Sequence, residues 1–124
     1  MSKLLKPVLL VHMVVALILG ALLLIIPGGF LGAIGWAPVD PIISRILGAA
    51  LLAMAWGNLR VSRGGTPAEN RLWVEFGLAF DTLAAIGVLR HLLVGWWPAM
   101  VWILFAVLAV FALVWALIWR TLRV

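Results

Sequence analysis

Four stretches of this chain are apolar for long enough to cross a bilayer, and helix-starting or helix-ending residues bracket each one. The first runs from about Pro7 to Ile26. Pro7 suits a first helical turn, where its missing N–H would have no partner anyway. Pro27-Gly28-Gly29 then ends the helix. The stretch from Phe30 to Val39 is apolar but holds Gly32, Gly35 and Pro38, and it reads as a loop or short interfacial turn with Trp36 at the headgroups. Asp40-Pro41 is an N-cap followed by a proline at the first helical position, so a second span runs to about Val61. Ser62-Arg63-Gly64-Gly65 closes it. Thr66-Pro67-Ala68-Glu69 is a capping box that opens a third span reaching about Val94. At 1.5 Å per residue that helix is ~42 Å long, so it tilts or protrudes. The fourth span runs from about Pro98 to Trp119.

The pattern predicts an all-α, polytopic membrane protein: one domain, a four-helix transmembrane bundle. Composition agrees. Of the 124 residues 67% are apolar and 10% charged, whereas soluble domains are nearer half apolar and a quarter charged. Lysine 3 and Lys6 ahead of an apolar run imitate a signal peptide. The run from Val8 to Ile26 exceeds a usual signal core and reads as the first span.

Charge gives orientation. Lys3, Lys6, Arg60, Arg63, Arg71, Arg120 and Arg123 cluster at the two ends and the middle connection, against Arg45 and Arg90 on the other side. The positive-inside rule then places both termini in the cytoplasm, N-in and C-in, in a cytoplasmic (inner) membrane. The net charge of +5 is thereby used by topology and points to no nucleic acid. The eight tryptophans divide evenly between the two predicted interfaces: Trp56, Trp73, Trp115 and Trp119 inside, Trp36, Trp96, Trp97 and Trp102 outside.

Chemistry-bearing residues are few. With no cysteine, disulfides, thiolate metal sites and cysteine nucleophiles are excluded. No Walker loop, Gly-x-Ser-x-Gly or His-Glu-x-x-His occurs, so no enzyme is expected, and no metal or cofactor site is read. Asp81 is the most informative side chain. It lies near the middle of the third span, where an isolated carboxylate is expensive. It shares a face with Gly77, Ala84, Ala85 and Val88. The second span carries a matching small-residue series, Arg45, Ala49, Ala53 and Gly57, each four apart. Small residues let helices approach closely.

An Arg45–Asp81 pair across two helices is therefore expected, fixing the helix register. The alternatives are a proton or cation site at Asp81, a neutral Asp81 bonded to backbone, or a contact with another subunit. Counted from the middle connection, the two depths differ by ~3 Å; counted from the outer ends, by ~13 Å. Glu75 and Arg71 are four apart and read as an interfacial ion pair. Arg90 reads as an outer-interface anchor. His12 and His91 lie near opposite ends of their spans, so one chain cannot use both on a single haem. Each is instead a possible lone ligand for a pigment or metal, or an internally hydrogen-bonded histidine.

The segment Arg45-Ile-Leu-Gly-Ala-Ala-Leu-Leu-Ala, after Asp40-Pro41 and an apolar loop bounded by Pro and Gly, resembles a family of small uncharacterised four-helix integral membrane proteins of prokaryotes. The resemblance covers the layout and the first two spans, and it implies no activity. Four-helix fluoride channels are of similar length, but their polar track of Asn, Ser, Thr and Phe is not present. Ile18-Leu19-Gly20-Ala21 echoes Ile46-Leu47-Gly48-Ala49, an echo that chance alone produces in so apolar a chain. With so little mass outside the bilayer, the leading expectation is an accessory or structural subunit of a membrane assembly. Its partners would be lipid and other subunits, or copies of itself. Transport of a proton, cation or small solute through Asp81 is the alternative.

Overall fold

A computed structural model describes residues 3–36 and 40–122. Arg123 and the last part of the apolar loop, residues 37–39, lie outside the described residues. The described chain is all-helical. In order it forms α1 (Leu5–Ile25), α2 (Pro27–Ala33), α3 (Pro41–Ser62), α4 (Pro67–Leu92) and α5 (Ala99–Thr121). Helices α1, α3, α4 and α5 are each long and apolar enough to cross a membrane. This is the composition of a multi-pass membrane protein.

Local chemistry sets the boundaries. The Asp40 carboxylate accepts hydrogen bonds from the backbone N–H groups of Ile42 and Ile43 at 2.9 and 3.0 Å, and Pro41 follows it. These are N–H groups a helix start would otherwise leave bare. At α4 the capping box is closed: Thr66 N–H donates to Glu69 Oε2 at 2.8 Å, and Glu69 N–H donates to Thr66 Oγ1 at 3.2 Å. Between α4 and α5, Gly95 has φ of 93°, a left-handed conformation that glycine adopts without a Cβ penalty.

Helix α2 differs from the sequence expectation. The segment after Pro27 was expected to leave helical conformation, yet residues 27–33 form nearly two helical turns. Proline 27 stands at the first helical position, where it starts a helix as readily as it stops the preceding one. Pro27 and Leu31, four residues apart, are buried. Burial of that pair offsets the weak helix propensity of the neighbouring glycines.

The chain divides into two compact units, Lys6–Arg63 and the chain from Gly64 onward together with its first residues. In the first unit α1 and α3 run antiparallel and touch through their backbones. A Cβ placed on Gly48 would lie 2.7 Å from the Gly20 carbonyl oxygen and 2.6 Å from the Leu24 nitrogen. A Cβ on Gly20 would lie 2.9 Å from the Gly48 carbonyl oxygen. The two glycines of the echoed Ile-Leu-Gly-Ala segments thus make room for each other. Helix α2 also packs against α3 within this unit.

In the second unit α4 and α5 form an antiparallel hairpin. A residue on α5, not a glycine, fills the space that α4 opens: the Trp115 indole lies against Gly77, where a Cβ would sit 2.9 Å from its Cε2 and Nε1 atoms. Val74, Trp115 and Ile118 are completely buried.

Gly48→Ala is expected to lower stability by about 1–3 kcal/mol, the usual cost of overpacking. Gly28→Ala, where a Cβ meets nothing within 4 Å, is expected to be neutral or slightly stabilising. Unfolding of both variants in micelles, followed by circular dichroism, checks the contrast. Equal stability of Gly48→Ala and the parent chain would contradict the close crossing.

Candidate functional site

Buried polar side chains are the informative feature of a chain this apolar. Four are nearly or wholly buried among the described residues: His12, Asn58, Asn70 and Asp81. Two of them are paired inside the Lys6–Arg63 unit. The Asn58 amide nitrogen donates to His12 Nδ1 at 2.8 Å. An imidazole that accepts at Nδ1 carries its proton on Nε2. The pair engages Nδ1, one of the two ring nitrogens that could bind a pigment or metal, and holds the imidazole against α3. Neither the sequence pattern nor a motif pointed to Asn58. The signal available was depth: in an antiparallel α1–α3 pair, residues 12 and 58 both lie near the ends remote from the α2 connection.

Asp81 sits on the buried side of α4 with 2% of its surface exposed. Gly77 and Ala85 are buried beside it, and Ala84 is half-buried. Its Oδ2 accepts a hydrogen bond from Trp115 Nε1 at 2.9 Å. Trp115 is completely buried. Gly77 is what admits the indole, and Asp81 one turn later is what receives its N–H. Measured along the axis, Trp115 lies about 7 Å further from the turn than Asp81. Side chains tilt toward the N-terminus of their own helix, so Trp115 leans toward the turn, Asp81 leans away from it, and the two meet.

This corrects the reading of Trp115 as an interfacial belt residue. Its burial and its partner set it apart from a headgroup-facing belt residue, because a buried indole N–H needs an acceptor and Asp81 supplies one. The expected partner of Asp81 was Arg45. Arg45 is exposed on α3, in the other unit, and the acceptor geometry seen at Asp81 is with Trp115.

Toward the N-terminal end of α4 a second cluster forms. Arg71 Nε donates to Glu75 Oε1 at 2.9 Å, one helical turn apart. Trp119 Nε1 donates to the same oxygen at 3.0 Å, and the Arg71 guanidinium carbon lies 5.7 Å from the Trp119 ring centroid. Here a tryptophan does sit exposed beside charged groups, as a membrane interface favours. The α4–α5 hairpin is thus tied at two levels, each by a tryptophan of α5 donating to a carboxylate of α4.

The remaining candidates stand apart. His91 is exposed, its carbonyl oxygen accepts from Trp97 Nε1 at 2.9 Å, and its ring lies 6.0 Å from that indole at a tilt. Arg90 is exposed near the end of α4. On α3 the face buried in the structure carries Gly48, Met54, Ala55 and Asn58. Ala49 and Ala53 of the expected packing stripe are exposed and Gly57 is half-buried. At about 100° per residue, the buried face therefore lies roughly opposite the small-residue series that starts at Arg45. Among the described residues no three His, Asp or Glu side chains come together as a metal site would need. In comparisons with protein-family models, curated proteins and solved structures, nothing matches this chain.

Two measurements check the site. Trp115→Phe keeps a large ring but removes the donor, and is expected to lower stability by about 0.5–2 kcal/mol, the range for one hydrogen bond in a membrane protein. Combined with Asp81→Leu, which removes the acceptor, it should cost less than the two single changes added together, because both act on one bond. Strict additivity would contradict the bond. For His12, Asn58→Leu is expected to lower stability by about 0.5–2 kcal/mol and to move the Nδ1 resonance of the labelled imidazole in micelles. An unchanged Nδ1 resonance and unchanged stability would overturn the Asn58 pairing.

Proposed function

We propose that this protein is an accessory or structural subunit of a membrane assembly, seated in the cytoplasmic (inner) membrane as four spans with both termini in the cytoplasm. The observation that carries this reading is the exposed face of α3. Arg45, Ala49 and Ala53 lie along it at four-residue intervals, and each is exposed among the described residues. Alanines on an outer helix surface offer lipid little apolar area but let another helix approach closely. An arginine on the same face, little more than one turn into the helix, either reaches back to the headgroups or meets an acceptor on a partner. The partner is then another membrane subunit or a second copy of this chain.

The interior supports the same reading. The most deeply buried polar groups hydrogen-bond other side chains of this chain, Asn58 to His12 and Trp115 to Asp81, and so hold helices together. The orientation rests on the basic residues: Lys3, Lys6, Arg60, Arg63, Arg71, Arg120 and Arg123 on one side against Arg45 and Arg90 on the other.

Extraction in a mild detergent is expected to yield a particle larger than a single chain in its micelle. Replacing Ala49 and Ala53 together by Leu should dissolve that particle into single chains without loss of helix content or thermal stability, since both positions are exposed. A single chain at every concentration before any substitution would overturn the proposal. Reporter tags at the two ends should both face the cytoplasm.

One observation favours a second reading. Asp81 is an acid buried near the middle of a long span, a position that transport proteins use for titrating groups. On that reading the protein moves a proton, a cation or a small solute. Reconstituted into liposomes, it should pass protons, sodium or potassium, and Asp81→Asn should abolish the flux. No flux of any of these ions through the unmodified protein ends this reading and leaves the first intact.

A further inference from the structure

We draw no further inference here: the strongest candidate, the exposed small-residue face of α3 that begins at Arg45, belongs to the surface on which the proposed function already rests, and nothing in the structure shows the chemistry of what covers it.

Discussion

Hydrocarbon supplies no hydrogen bonds, and four helices of this chain are long and apolar enough to cross it. Every backbone N–H and C=O at depth must find its partner within the chain, which leaves the helix as the economical solution for four separate stretches. The same rule governs side chains. A polar group carried into such a helix is tolerated when a second one meets it. Asn58 meets His12, and Trp115 meets Asp81. Helix-to-helix attraction gains little from burying apolar surface, because lipid tails are as apolar as leucine. Close backbone approach and these paired polar groups are left to decide which helix lies against which.

The two units answer that demand differently. Between α1 and α3 side chains are removed at the crossing, and two glycines allow backbone to meet backbone. Between α4 and α5 a glycine on one side receives the largest side chain available from the other, and the indole N–H is then satisfied by an acid one turn away. The first solution gains dispersion contacts between main chains. The second gains a large buried ring and a specific hydrogen bond. In both, a polar pair lies in the same interface as the tight contact and discriminates against a slipped register, since a shift of one residue along either helix would separate donor from acceptor.

The spans were legible because their signals are local. An apolar run, Asp40-Pro41 and the Thr66–Glu69 box each act within a few residues, and the helices begin where those signals stand. Helix α2 was illegible because glycine and proline argue against a helix locally, while burial of Pro27 and Leu31 is a tertiary effect. The face of α3 that meets α1 was illegible for a related reason. Small residues occur on two well-separated faces of that helix, at Gly48 and Ala55 and at Ala49 and Ala53, and spacing alone cannot say which meets α1. The glycine of the echoed segment could have decided it, since glycine permits an approach that alanine does not. Trp115 was hidden among eight tryptophans that the belt rule explains collectively. Only the question of which donor faces a buried acid separates it from the others.

Contact through glycine has a one-sided consequence. At Gly20 and Gly48 there is no side-chain atom left to trim, so the α1–α3 spacing already stands at its lower bound, and any replacement at either position pushes the helices apart. The α4–α5 spacing is set by the thickness of an indole and can shift in both directions as that ring is exchanged. Sequence drift in this protein should therefore adjust the second hairpin gradually, while the first either keeps its two bare positions or loses its crossing.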